Sequence, residues 1–182
     1  MRPGDPAPRA LLITGTVGAG KTSVAEAVGG LLGDAEVPSA VIDLDWLAKS
    51  RPAPPGDRFN FALLLRNLRS VAGNYLDAGA TRLILAGVVE SGDERERCGA
   101  AVGAPLSVCR LQVGLPEVRR RLVRRHEDEP AELRWHLDRS GELDRVLVEA
   151  GIADFTVEAG GRPIAEVAAA VIEAAGLLPA GR

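Results

Sequence analysis

The sequence predicts an α/β fold: a three-layer sandwich with helices on both faces of a five-stranded parallel sheet. Three observations predict it. Short apolar runs alternate with amphipathic stretches, as successive βαβ units require. The runs are continuous rather than alternating, as in strands covered on both faces; Ala10-Leu11-Leu12-Ile13 and Leu83-Ile84-Leu85-Ala86 are the clearest. A glycine-rich segment joins the first run to the first amphipathic stretch.

Taken in order, the strands are expected over 10–14, 40–43, 82–89, 106–113 and 155–157. The helices between and after them fall over 21–32, 60–78, 93–101, 116–126, 131–150 and 163–175. In the last helix Ile164, Val167, Ala168, Val171, Ile172 and Ala175 recur at three- and four-residue steps, and Pro163 suits the first turn. Two segments read as irregular: 51–57, with three prolines and a glycine, and 127–130, with three acids and a proline. At 182 residues and 46% hydrophobic composition the chain can bury one substantial core. One domain is therefore expected over 10–178, with a mobile lid around 119–140, behind a loose tail over 1–9.

A formal charge of −3 gives no global positive field, so neither nucleic acid nor an anionic membrane is an expected partner. No signal peptide or membrane span is legible, which makes the cytoplasm the expected compartment. Cys98 and Cys109 read as two reduced thiols. His126 and His136, ten residues apart with no cysteine at ligand spacing, read as surface or loop residues and not as a zinc site.

Gly15-Thr16-Val17-Gly18-Ala19-Gly20-Lys21-Thr22 satisfies G-x-x-x-x-G-K-[ST], after an apolar strand and opening a helix. Its glycines let backbone N–H groups turn inward onto phosphate oxygens, and the helix N-terminus adds partial positive charge. Lys21 is expected to reach the β- and γ-phosphates and Thr22 to offer its hydroxyl to Mg²⁺, with Ser23 following on the first helical turn. Of the 22 basic residues only Lys21 and Lys49 are lysine, so bulk composition does not explain a lysine here. The fold class narrows to a P-loop NTPase of nucleotide-kinase type, with ATP and Mg²⁺ as expected cofactors.

Asp43 and Asp45 follow the run Val41-Ile42. In extended chain both would project to one side, beyond the carboxyl ends of the strands where such folds bind ligands. One would orient the metal and its water, the other accept an acceptor hydroxyl's proton; the residues leave open which does which. Glu90 is a further candidate for the metal shell. In the helix over 116–126, Val118 and Leu122 face inward, while Arg121 and Arg125 share a face one turn apart. These two, with Arg124, are the candidates for neutralising charge on a transferring phosphoryl group. The loop near 160–163 carries no distinctive guanine signal.

With these pieces in place, the chain resembles the small P-loop kinases of the adenylylsulfate kinase, gluconate kinase and chloramphenicol phosphotransferase group. The likeness is carried by Gly15 to Thr22, Asp43-Leu44-Asp45 and the arginine-bearing lid helix. A further likeness to adenylylsulfate kinases is Asn67-Leu68-Arg69-Ser70-Val71-Ala72, followed by Asp77-Ala78-Gly79. The resemblance implies an ATP-dependent kinase acting on a small-molecule hydroxyl and nominates Asn67 and Arg69 as acceptor contacts. Arg51, Arg58 and Asn60 join them as candidates for a polar or anionic acceptor. The competing expectation is a nucleotide-dependent switch or ATPase read by a protein partner. Either a monomer or a homodimer fits the sequence.

Overall fold

The computed structural model describes residues 7–57 and 59–178. Five strands, β1 (Arg9–Thr14), β2 (Ser39–Asp43), β3 (Arg82–Ala86), β4 (Leu106–Gln112) and β5 (Phe155–Glu158), form one sheet in the order β2-β3-β1-β4-β5. Every neighbouring pair is parallel. Seven helices, α1 (Lys21–Asp34), α2 (Leu44–Leu47), α3 (Phe61–Asp77), α4 (Gly92–Val102), α5 (Leu115–Arg125), α6 (Pro130–Ala150) and α7 (Ile164–Ala175), complete the described chain.

The side-chain period of two along each strand divides the interior into two cores. Leu11 and Ile13 of β1, Ile84 of β3 and Leu111 of β4 pack with Val24 and Val28 of α1 and Val167 and Val171 of α7. Leu12, Leu83, Leu85 and Val108 face the other way onto Leu68 of α3, Cys98 of α4 and Leu143 of α6. The expected three layers are therefore present, and covering on both sides is why the strands read as unbroken apolar runs. No helix among the described residues is long and apolar enough to cross a membrane.

Two expectations are corrected. Arg9 belongs to β1, its backbone N–H donating to the Thr81 carbonyl at 3.1 Å, so the tail ends earlier than residue 9; residues 1–6 lie outside the described chain. Arg58 lies outside it as well. The third strand stops at Ala86 although apolar sequence continues through Val89. It ends where its partners do: Ala86 is paired with Ile13 and with Asp43, after which β2 gives way to α2, and Gly87, whose N–H still donates to the Ile13 carbonyl at 3.2 Å, lies against Leu44 of α2 with no room for a side chain.

Because the strands are parallel, their carboxyl ends share one edge of the sheet, and Asp43 of β2 stands opposite Ala86 while Thr14 of β1 stands opposite Arg110. The first crossover is thus obliged to turn above β1, within reach of the end of β2. A Cβ at residue 87 would lie 2.7 Å from both Cβ and Cδ1 of the fully buried Leu44. Gly87→Ala is expected to lower stability by about 1–3 kcal/mol, an overpacking penalty. Urea unfolding followed by circular dichroism checks this, and an unchanged midpoint would show that α2 yields freely.

Candidate active site

The loop between β1 and α1 turns through left-handed glycines, with φ of 81° at Gly18 and 94° at Gly20, a region where a side chain is strained. Gly18 also lies under α5: a Cβ there would come within 3.2 Å of Leu122 and 3.3 Å of Val118. Gly20 is the N-cap of α1 and has no side chain to satisfy the first turn. The N–H groups at the start of this helix are therefore left for an anion. Thr16 is buried, and its hydroxyl donates to the Ser140 carbonyl of α6 at 2.5 Å, fixing the loop from behind.

Lys21 folds back over the loop, its Nζ donating to the Gly15 and Thr16 carbonyls at 3.1 Å each. It forms no ion pair among the described residues. Loss of hydration lowers its pKa to about 8 against the opposing attraction of Asp45 and Asp43, and the nearby Arg125 charge lowers it further. Thr22 Oγ1 donates to Asp43 Oδ2 at 2.9 Å, bringing together a hydroxyl and a carboxylate that stand 21 residues apart. Hard oxygen donors of this kind suit Mg²⁺, and the helix start and free ammonium suit a polyphosphate. The residues present fit both expected cofactors.

The acidic pair is arranged differently from the extended-chain expectation. The strand ends at Asp43, which caps α2; its Oδ1 accepts from the Asp45 backbone N–H at 2.9 Å. Asp45 sits in the first turn of that short helix instead of in extended chain. Both of its carboxyl oxygens are free of hydrogen bonds and ion pairs among the described residues. Its pKa is raised, chiefly by reduced hydration in the cleft and secondarily by Asp43, while Lys21 pulls it down. Lys21, Asp43 and Asp45 thus form one electrostatic cluster. Glu90 does not join it, since its carboxylate is paired with Arg139 of α6.

The arginine helix closes the other side. A cavity of about 460 Å³ opens beside the loop, lined by Gly18, Ala19, Gly20, Ser23, Arg121, Arg124 and Arg125, and on its far wall by Ala159, Arg162 and Ile164. Val17 packs against the apolar cores from within the loop. Arg121 donates to the Ala19 carbonyl at 3.3 Å and the Ala159 carbonyl at 3.2 Å, and pairs with Glu117. The Glu117 carboxyl is held below its usual range first by the Gly161 backbone N–H, with Arg121 adding to this. Arg124 and Arg125 are exposed and unpaired among the described residues. Arg162 is the lining residue that residue patterns alone did not single out; its place next to the β5 turn was the available signal.

The acceptor-side candidates are spread out. Asn67 of α3 donates to the Leu47 carbonyl at 2.8 Å, tying α3 to the end of α2. Arg69 is exposed and lies about 200° around the same helix from Asn67, so the two do not face one site. Asn60 is buried and donates to the Ala48 and Ser50 carbonyls at 2.8 Å each, shaping the turn after α2. Exposed Trp46, beside Asp45, carries Lys49 over its ring at 4.1 Å.

This architecture, a five-stranded parallel sheet with the phosphate loop on its central strand, is that of the small P-loop kinases. Among solved structures it is similar to the tunicamycin resistance protein of Deinococcus radiodurans, with TM-score 0.66 and 18% identity over 97% of this chain and 100% of that one. It is similar to the APS kinase of Mycobacterium tuberculosis in complex with AMPPNP and APS, with TM-score 0.57 and 23% identity over 94% and 99% of the two chains. The shikimate kinase of Acinetobacter baumannii in complex with shikimate aligns at TM-score 0.60 and 16% identity over 94% of each chain. No protein-family model matches the sequence, and no curated protein matches it significantly.

Among the described residues, Arg121 is the one of the three candidate arginines of α5 with a hydrogen-bond network of its own. Arg121→Ala is expected to cost about 1–3 kcal/mol, because it removes charged hydrogen bonds and leaves two carbonyls and Glu117 without their partner. Arg124→Ala, lacking such bonds, should change stability by less than about 0.5 kcal/mol. Parallel urea titrations of the two variants read the contrast directly.

Proposed function

We propose that the chain is an ATP- and Mg²⁺-dependent kinase that transfers a phosphoryl group to a hydroxyl of a small polar molecule. The observation that carries this reading is the Thr22–Asp43 contact at 2.9 Å beside an ammonium paired to no carboxylate. It puts a metal-binding oxygen pair at the end of a phosphate loop. The loop from Gly15 through Thr22, with Ser23, would hold the nucleotide phosphates, and Thr22 with Asp43 would hold the metal. Bound MgATP supplies the transferable phosphoryl group with its charge partly neutralised.

Asp43 is hydrogen-bonded to Thr22 and to the Asp45 N–H, which supports a role for it on the metal side. Asp45, with free oxygens and a raised pKa, is the better base for the acceptor hydroxyl. Arg121, Arg124 and Arg125, on a lid spanning roughly residues 119–140, hold the phosphates from above and exclude water. Asn67, Arg58 and Arg69 remain acceptor candidates in this scheme, Asn67 by positioning α2. The AMPPNP bound to the mycobacterial kinase and the shikimate bound to the Acinetobacter one support a two-ligand cleft in this fold.

A panel of metabolite alcohols and hydroxyl-bearing antibiotics, screened for acceptor-dependent ADP release, tests the reading. One acceptor should raise turnover well above background hydrolysis, and Asp45→Asn should lower that turnover about 10²–10⁴-fold while leaving MgATP affinity nearly intact. Hydrolysis that ignores every acceptor but responds to a protein partner would favour a switch instead.

The Lys21 pKa sets a pH dependence. The ammonium is the form that attracts phosphate, and in the free protein it is lost above about pH 8. Nucleotide affinity should be flat below that point and fall by up to about tenfold per pH unit above it, since binding must then take up a proton. Calorimetry from neutral to alkaline pH reads the slope; Lys21→Ala should bind weakly at every pH with no such slope.

A further inference from the structure

α5 ends at Arg125, and His126 caps it before the chain turns through 127–129 into α6. The turn brings two histidines, ten apart in sequence, face to face, with ring centroids 4.4 Å apart. Glu132 and His136 sit four residues apart on α6, so they share the helix face turned towards His126. One nitrogen of each imidazole and one Glu132 carboxylate oxygen all lie within 4.8 Å of one another. The expectation of surface or loop residues holds only in part: His126 lies in the turn after α5 but is only 7% exposed.

The cluster lacks internal satisfaction. His126 Nδ1 lies 3.2 Å from Glu129 Oε2, which as an acceptor assigns the proton to Nδ1. That leaves the lone pair on Nε2, and this atom is buried with no hydrogen-bond partner; so is Nδ1 of His136. Two unpartnered buried nitrogens in one cluster are unusual in a folded chain. A carboxylate on the far nitrogen is the arrangement by which metal-ligating histidines are commonly oriented.

We propose that His126, Glu132 and His136 form a binding site for a divalent transition-metal ion, best suited to Zn²⁺, that staples α5 to α6. Two imidazoles and one carboxylate are a borderline-soft set that favours zinc over magnesium, with a fourth position for water. Ligands on a tetrahedral zinc stand about 3.3 Å apart, given bonds of about 2.0 Å. The ligand atoms, now within 4.8 Å of one another, draw together by up to about 1.5 Å, to which the exposed Glu132 side chain contributes by rotation. The site is separate from the oxygen-only Thr22–Asp43 pair and does not depend on the kinase reading.

The test is a Zn²⁺ titration of the nucleotide-free full chain against a chromophoric chelator, repeated with His136→Gln and Glu132→Gln. One zinc should bind per chain at micromolar or tighter affinity, unaffected by excess Mg²⁺, and either variant should weaken it about tenfold or more. Co²⁺ in the same site should give the intense visible absorption of a four- or five-coordinate centre. Cys98 and Cys109 do not compete, since burial pushes their thiols up to about 11 and 12. Glu132 is exposed, so its variant folds, and circular dichroism without metal verifies both. No zinc uptake by the wild-type chain, or equal affinity in both folded variants, would overturn the proposal.

Discussion

The turn from Gly15 to Gly20 can bend over the end of β1 only because its glycines accept backbone angles that other residues resist, and everything at the site follows from that bend. The first helix starts without a side-chain cap, so its leading N–H groups point out at the place where Lys21 and Thr22 project. An ammonium that bonds only its own loop's carbonyls is held ready without being neutralised. A carboxylate cap on that helix, or an acid paired to that lysine, would cancel the field that draws an anion in.

The rest of the fold supports this bend from three directions. β2 delivers Asp43 to Thr22, and the packing of Gly87 against Leu44 fixes the short helix that sets the angle between Asp43 and Asp45. Behind the loop, α6 takes the Thr16 hydroxyl. Above it, α5 presses Val118 and Leu122 onto Gly18 while Arg121 ties the loop to the β5 turn. The three candidate arginines of α5 consequently differ in kind: Arg121 is already engaged in holding structure, whereas Arg124 and Arg125 are unpaired among the described residues and line the cavity.

Much of this was legible in the residues. All five strands were located to within a few positions, most plainly β1 and β3, where burial on both faces removes the alternation that would blur them. The phosphate loop was legible since each position has a separate steric or electrostatic demand. What escaped the pattern was short or discontinuous. Four residues, Leu44–Leu47, are too few to show a helical period, so Asp45 was read in extended chain after the strand. The apolar Val88-Val89 extended β3 on paper, where the end of its pairing with β1 and β2 stops it at Ala86. His126 and His136 straddle a helix boundary, and no sequence spacing encodes the turn that makes them neighbours.

The claim beneath all of this is that main-chain amides and one ammonium form a polyphosphate pocket. It is tested most directly by titrating isotope-labelled chain with MgATP and following the backbone amide resonances. The account predicts that the amides from Gly15 to Thr22 move together on one saturable curve and respond far less to AMP, which lacks the β- and γ-phosphates. Loop amides that stay in place at saturating MgATP, or that answer AMP equally, would contradict it.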